Sequence, residues 1–462
     1  LGGLEDGEDV ESPTHPLLRR QGTSALGTKS ITMFGSVVLI VNNVSGPGML
    51  ALPQVFQQSG WVLPVVTFVV ICVISSLSAT LLADAMAAVP GNDHRFGKRV
   101  EFACVFDEFY GANAKKAVLL VVCLCLLSQV LSSIVATAQV VDSFVVFLSP
   151  NSTTYALQLA PLSLVSWQPP SNPNPVIWPG DDPSQHGPNA TTPVAPLPME
   201  CHGGDSVPFQ GPQYGPVVTL GYVISLVAIA PMGFFNLEEN IWGQIVSFWM
   251  LLVFTAEFLW QFWVEGLEAR RVPAFGESYS GMLGSVIFNY AFIVTIPSWV
   301  NEKREEVSVN GAVWASTVSS TVMYVMVGVM GAMAYDSVDG NFLNSLASHC
   351  NPQLTRLSSF LFASGIVAMS VPVFTVMMRY NLIMSSVCSD SAAIWVTALG
   401  PFAVSWVLYR GNLFNEVINW SGQVLNGPVN FMLPFLLSLT AIGASRAFPP
   451  LLPSFPGTSL PA

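Results

Sequence analysis

The sequence predicts an all-α, multi-span membrane protein whose spans form two five-span inverted repeats, with the first and the sixth span broken. Composition is the first indication: 52% of the 462 residues are hydrophobic and 10% are charged, against roughly 25% charged in a typical soluble protein. Long apolar segments separated by polar loops are the second. Helix-interrupting residues at matching places in the two halves are the third.

Ten apolar segments have the length needed to cross a bilayer. They are residues 31–58, 61–89, 116–148, 216–236, 241–264, 281–300, 310–334, 356–384, 392–409 and 413–440. Five segments fall in a first repeat over residues 31–264, and five fall in a second repeat over residues 281–440. Residues 1–30 precede them, and a Pro-rich tail over residues 441–462 follows.

The first segment is interrupted by Asn42-Asn43-Val44-Ser45-Gly46-Pro47-Gly48. Hydrocarbon tolerates unwound backbone only where protein, water or a ligand satisfies the freed N–H and C=O groups, each of which otherwise costs several kcal/mol. Gly46 and Gly48 leave the backbone bare, and Pro47 removes one N–H. A half-helix that begins near Met49 would direct its positive dipole end at an anion in the gap. The pattern therefore predicts a binding site inside the membrane.

The sixth segment has irregular residues at the corresponding place, because Asn289-Tyr290 lie in its middle and Pro297 follows. Interrupted segments at matching positions of two halves are typical of inverted-repeat transporters, whose substrate binds between the two breaks. A Pro-kinked core helix is the alternative interpretation for either segment.

Lys and Arg residues predict the orientation, because cytoplasmic loops are enriched in them. If the N-terminus is cytoplasmic, twelve of the Lys and Arg residues lie on the inner side of the membrane and four lie on the outer side. The inner set is Arg19, Arg20, Lys29, Arg95, Lys98, Arg99, Lys115, Lys116, Lys303, Arg304, Arg379 and Arg446, and the outer set is Arg270, Arg271, Arg356 and Arg410. Five acidic residues lie in the first eleven positions, so we expect residues 1–30 to be a disordered, acidic cytoplasmic tail.

The loop over residues 149–215 is rich in Pro, Asn, Ser, Thr and Gly and contains no Lys or Arg, which predicts the outer face. It holds N-glycosylation sequons at Asn151 and Asn189. Cys201 and Cys350 also fall on outer loops, so we expect a disulfide between them, with two free thiols as the alternative.

Several motifs resemble the amino acid/auxin permease family, which includes sodium-coupled neutral and vacuolar amino acid transporters. The similar segments are Asn42–Pro53, Asn236–Asn240, Pro297–Glu302 and Ser370–Phe374, and the resemblance extends over residues 30–440. It implies a leucine-transporter-like fold of eleven spans that carries amino acids together with a cation. The Pro-rich residues after Leu439 do not suit an eleventh span, and the chain begins at Leu1. We therefore expect a fragment or an incorrect gene model.

Chemistry and resemblance together suggest how an amino acid would bind. Its carboxylate suits the N–H groups around Ser45, Gly46 and Gly48, and its ammonium group suits freed carbonyls near Asn42 and Asn289. Pocket walls would come from Tyr290, Phe292, Gln129 and Ser133, for which core packing is the alternative interpretation.

The resemblance also places Asn42 and Ser370 at positions that hold sodium, and both supply the hard oxygen ligands that this ion needs. Packing between helices is the alternative for Ser370. For proton coupling the candidates are the intramembrane acids Glu257 and Asp84, although either could reach headgroup water instead. All five histidines lie in the tail or in loops, so we expect no metal other than sodium and no bound cofactor.

These patterns predict a secondary active transporter of neutral amino acids, coupled to sodium or protons. A receptor that senses amino acids without net transport is the alternative. We expect no enzymatic activity, since no intramembrane nucleophile or His/Asp set is visible. The expected partners are an amino acid substrate and the lipid bilayer, without nucleic acid. The expected location is the plasma membrane or a vacuolar or endolysosomal membrane.

Overall fold

The computed structural model describes residues 29–149, 153–159, 161–168, 208–209, 214, 216–348, 351–409 and 413–447. Most of these residues lie in long apolar helices, which confirms the predicted all-α, multi-span class. Several predicted features lie outside the described residues. They are most of the acidic tail (residues 1–28), Asn151, Asn189, Cys201, Cys350 and the Pro-rich end over residues 448–462.

The helices and strands follow one another along the chain. The helices are α1 (Met33–Val44), α2 (Leu52–Ser59), α3 (Val62–Ala87), α4 (Phe102–Tyr110), α5 (Ala112–Leu148), α6 (Leu220–Ile229), α7 (Leu237–Glu265), α8 (Met282–Asn289), α9 (Ile296–Glu302), α10 (Val309–Ala334), α11 (Phe342–Ala347), α12 (Gln353–Phe362), α13 (Ala368–Met384), α14 (Asp390–Ser405), α15 (Leu413–Ser421) and α16 (Leu433–Ala447). The strands are β1 (Thr154–Leu159), β2 (Leu162–Trp167) and β3 (Val217–Thr219).

Among the described residues, eight helices are long and apolar enough to cross a membrane, and a bent pair makes nine. The segment predicted at 216–236 is the exception among the ten. Here α6 has only ten residues and continues as a five-residue 3₁₀ turn, Ala230–Phe234. Pro231 lies at the start of that turn. The turn ends at a buried guanidinium, because Arg379 donates to the carbonyl oxygens of Phe234 at 3.3 Å and Phe235 at 2.9 Å.

The first span is broken at the predicted residues. Thr32 caps α1 by accepting from the Gly35 N–H at 3.2 Å, and α1 ends at Val44. Pro47 then begins a 3₁₀ turn, Pro47–Ala51, which leads into α2. The two halves of the span are bent by 44°.

The sixth span unwinds over Tyr290–Phe292, between α8 and a short 3₁₀ turn, Ile293–Thr295, that leads into α9. The freed N–H of Val294 donates to the side-chain oxygen of Asn430 at 2.9 Å. Pro297 lies in the first turn of α9, where a missing N–H costs no intrahelical hydrogen bond.

The two ends of the bundle differ. At one end, which we call the N-terminal face, the N–H groups of Ser30 and Ile31 donate to the Glu302 carbonyl oxygen at 3.0 and 3.1 Å. The loop over residues 88–101 lies at the same face, where Lys29 donates to the Arg95 carbonyl. The opposite face carries an antiparallel sheet in the order β2-β1-β3, with Leu157 paired to Leu164 and Val218.

Aromatic side chains pack the space beside both breaks. Phe68 of α3 stacks on Phe56 of α2 with ring centroids 6.3 Å apart, and it lies 5.5 Å from Tyr324 of α10. Tyr290, from the unwound part of the sixth span, contacts Tyr324 edge-on at 6.0 Å. The first and sixth spans therefore share one core with α3 and α10.

Candidate substrate and cation site

The two broken spans meet at Gly48. A Cβ atom on Gly48 would lie 2.8 Å from Cδ1 of Phe288 and 2.9 Å from Oδ1 of Asn289, closer than real Cβ contacts. Tyr324 links the breaks from α10, because its hydroxyl donates to the Val44 carbonyl and lies 3.4 Å from that of Asn289. One carbonyl group from each broken span, that of Val44 and that of Asn289, therefore faces the Tyr324 hydroxyl.

Five buried polar atoms without a hydrogen-bond partner among the described residues lie at this junction. They are Oδ1 of Asn42, both side-chain polar atoms of Asn43, Oγ of Ser45 and Oδ1 of Asn289. Each of these residues is at most 7% exposed. Leaving such a group unsatisfied costs about 1–3 kcal/mol, so the arrangement favours a polar ligand that completes these bonds.

Gln244 of α7 connects the candidate sodium residues. The Asn42 amide donates to the carbonyl oxygen of Gln244 at 2.7 Å and to its Oε1 at 2.9 Å. The Gln244 amide in turn donates to the Met369 carbonyl at 3.1 Å, beside Ser370. Asn42 and the start of α13 therefore share a side chain that the sequence analysis did not single out.

Ser370 follows a π-helical stretch, Ala363–Val367, in the eighth span. Its hydroxyl bonds the Val367 carbonyl at 2.7 Å and the Ser133 hydroxyl at 2.7 Å. These bonds fit helix packing, the alternative weighed for Ser370. A hydroxyl oxygen has two lone pairs, and the oxygen set of Asn42 and Ser370 suits sodium.

Tyr290 packs away from the unpartnered atoms. Its hydroxyl bonds the Thr321 hydroxyl of α10 and lies 3.4 Å from the Phe68 carbonyl. Gln129 of α5 donates to the Phe288 carbonyl over a long 3.5 Å. In this conformation Tyr290 belongs to the aromatic core, while Gln129 borders the break of the sixth span.

The proton-coupling candidates have different surroundings. Glu257 of α7 is half-buried; its Oε1 accepts from the Thr355 hydroxyl at 2.8 Å, and its Oε2 has no partner among the described residues. Asp84 is exposed near the end of α3 and lines a cavity at the N-terminal face.

Sequence reasoning missed a third intramembrane acid, Asp142 of α5, which has no exposed surface. Its carboxylate accepts from the Gly221 N–H and from the Tyr409 hydroxyl, both at 2.7 Å. It thereby fastens α5 to the start of α6 and to the chain after α14. An acidic residue inside an apolar segment was the signal available in the sequence.

A family comparison covers the part of the chain that holds the first break. Residues 29–168 match the family of transmembrane amino acid transporter proteins. The match confirms the resemblance to amino acid/auxin permeases that Asn42–Pro53 indicated. It covers α1 to α5 with β1 and β2, while Gln244, Asn289 and Ser370 lie beyond it. No curated protein sequence matches the chain.

A buried polar network holds α9 against the loop that precedes α4. Glu101 accepts from the Ser298 hydroxyl at 2.7 Å and from the Asn301 amide at 3.1 Å, and the Arg99 guanidinium binds Glu302 at 2.8 Å. Both carboxylates are fully buried. Burial raises the pKa of Glu101, although the charge of Arg99 opposes this effect.

Proposed function

We propose that this protein is a secondary active transporter of neutral amino acids, which bind between the breaks of the first and sixth spans. The family match implies the transport of amino acids across a membrane. The observation that carries the placement of the site is the group of unpartnered polar atoms on Asn42, Asn43, Ser45 and Asn289, gathered where two interrupted spans meet.

A zwitterionic ligand complements these groups. The Asn43 amide and the Ser45 hydroxyl can donate to a carboxylate, and the Asn42 and Asn289 oxygens can accept from an ammonium group. None of these four residues carries a charge, which agrees with a substrate whose own charges cancel. Hydrogen bonds to charged groups contribute about 1.5–3 kcal/mol each, enough for selective binding.

We propose sodium as the coupling ion, held by Asn42 and Ser370. Neutral oxygen ligands suit sodium, and the Asn42 oxygen has no protein partner among the described residues. Asn42 would then border both the ion and the substrate, so that binding of each changes the affinity for the other. Proton coupling through Glu257 is the competing assignment, supported by its unpartnered Oε2.

Flux into proteoliposomes tests the function. We expect purified protein to accumulate labelled neutral amino acids when an inward sodium gradient is imposed, and to do so far less under a pH gradient alone. Asn42→Ala should raise the sodium concentration for half-maximal uptake by roughly tenfold, since one ligand lost costs about 1.4 kcal/mol. Glu257→Gln is the matched control and should keep the sodium dependence.

Three outcomes would contradict parts of the proposal. Uptake driven by a pH gradient and abolished by Glu257→Gln would assign coupling to protons. Normal sodium dependence in Asn42→Ala would remove Asn42 from the cation site. Substrate binding without any accumulation would identify a receptor, the alternative that sequence analysis left open.

A further inference from the structure

A cavity of about 540 Å³ opens at the N-terminal face between the end of α3, the loop over residues 88–101 and the start of α10. It is separate from the junction of the broken spans. Its wall is both charged and apolar, with Asp84, His94, Lys303 and Glu305 beside Leu77 and Trp314.

Lys303 is an unusual component of this wall, because its side chain is only 2% exposed. Its Nζ lies over the Phe96 ring, 5.2 Å from the centroid, and makes one long hydrogen bond of 3.4 Å to the Arg304 carbonyl. An ammonium group has three N–H donors. A phosphate oxygen in the cavity would accept from the remaining donors and offset the buried charge.

Two carboxylates line the same cavity. Asp84 and Glu305 are exposed, and neither forms an ion pair with another described residue. Their presence disfavours a ligand that carries only negative charge. A ligand with a phosphate and a primary ammonium group would match both signs, since its ammonium N–H groups can donate to the carboxylates.

Exposed apolar rows lead away from the cavity along both helices. On α3, Leu77 is followed towards the opposite face by Val73, Val70 and Val66, each at least 42% exposed. On α10, Trp314 is followed by Val318, Val322 and Met326, each at least 40% exposed. Residues three or four apart share a helix face, and the two helices touch through the hydroxyls of Ser76 and Thr317 at 2.8 Å. Eleven residues of helix extend about 16 Å, roughly one leaflet of a bilayer core.

We propose that this cavity binds the headgroup of a phospholipid with a primary amine, of the phosphatidylethanolamine class, whose acyl chains lie along the exposed rows of α3 and α10. The phosphate would bind Lys303, and the amine would bind Asp84 and Glu305. This site depends on the protein being embedded in a membrane and not on its transport activity.

Lipid binding to the purified, delipidated full-length protein tests the proposal. Dissociation constants would be measured by native mass spectrometry for phosphatidylethanolamine, phosphatidylcholine and phosphatidylglycerol with identical chains. We expect phosphatidylethanolamine to bind roughly tenfold more tightly than the other two, the effect of about 1.4 kcal/mol from its amine contacts. O-phosphoethanolamine, which lacks chains, should neither bind nor compete at equal concentration.

Variants distinguish the two charge contacts. Asp84→Asn with Glu305→Gln should remove the preference for phosphatidylethanolamine over phosphatidylcholine, while Lys303→Gln should weaken both lipids. Glu306→Gln is the matched control. Glu306 is an exposed acid next to Glu305 but does not line the cavity, so its change should leave the preference intact.

Equal affinity for the three lipids, tighter binding of phosphatidylglycerol, or an unchanged preference in the double variant would overturn the proposal. Binding of free O-phosphoethanolamine would overturn the assignment to a lipid.

Discussion

The residues at which the first span breaks could be predicted directly from the sequence. Gly46, Pro47 and Gly48 interrupt the helix where their backbone preferences predict, and the neighbouring Asn42 and Ser45 leave polar atoms unpartnered there. Gln244 could not be found in the same way, because a glutamine within an apolar segment does not reveal which helix it faces. Its role depends on the packing of α7 beside α1 and α13.

Glycines at the first break should differ in their tolerance of a methyl group. Gly48→Ala places Cβ 2.8 Å from Phe288, and such overpacking typically costs about 1–3 kcal/mol. We expect apparent substrate affinity in the flux assay to fall by roughly tenfold. Gly46→Ala is the matched control, since its Cβ would meet only the Asn43 carbonyl at an ordinary 3.6 Å.

Gly46→Phe should fill the space and abolish uptake while the protein still inserts into the membrane. Normal uptake in Gly46→Phe or in Gly48→Ala would move the substrate away from this junction.

At the scale of helices, hydrophobic pattern predicted most of the spans, but not how the broken ends are satisfied. Asn430 reaches the freed N–H of Val294 from the tenth segment, and Arg379 caps the end of the short fourth segment. The charge count assigned Arg379 to the inner side, near the end of the eighth segment, and the structure buries its guanidinium against carbonyl groups. Such partners are distant in the chain, so local patterning carries no signal for them. The same limit explains the unpredicted sheet, whose first two strands lie in a loop with the composition of irregular structure.

The contact between α9 and the loop before α4 should depend on pH. Because burial raises the pKa of Glu101, the folded protein binds its proton more tightly than the unfolded chain does. The contribution of protonated Glu101 to the free energy of unfolding is therefore complete below the pKa of the unfolded chain, about 4.5. It is lost as the pH rises through the higher pKa of the folded protein. We expect the melting temperature in detergent to fall as pH rises above about 4.5, and to fall less in Glu101→Gln, which cannot ionise.

Glu108→Gln is the control for this measurement. Glu108 is partly exposed and pairs with Lys98 across the surface at 3.1 Å, so its removal should leave the slope with pH unchanged. An identical slope in the wild-type protein and Glu101→Gln would show that Glu101 does not titrate in this range on its own.

For the whole molecule, the proposed transport requires that the candidate site between the two breaks open alternately to each face. In this conformation the N-terminal face is held by contacts between the loop over residues 88–101 and α9, the last part of the broken sixth span. Because Tyr290–Phe292 are not helical, we expect α9 to be able to move relative to α8. We therefore expect opening at this face to separate α9 from the loop and to break the two hydrogen bonds between the Asn301 side chain and the Val100 backbone.

A crosslink across this contact should stop transport reversibly. Val100 and Asn301 exchange hydrogen bonds of 3.3 and 3.0 Å, so cysteines at both positions lie close enough to be joined by a short bifunctional reagent. We expect the crosslinked Val100→Cys, Asn301→Cys variant to lose uptake in proteoliposomes and to recover it when a cleavable reagent is reduced, since α9 can then leave the loop.

The control crosslinks Ser76→Cys to Thr317→Cys, because the hydroxyls of Ser76 and Thr317 lie 2.8 Å apart between α3 and α10. Because these two helices share one packed core with the first span, that link should leave uptake largely intact. Undiminished uptake with the α9 link closed would show that the N-terminal face opens elsewhere, and loss of uptake in the control pair alone would assign the movement to the interface of α3 with α10.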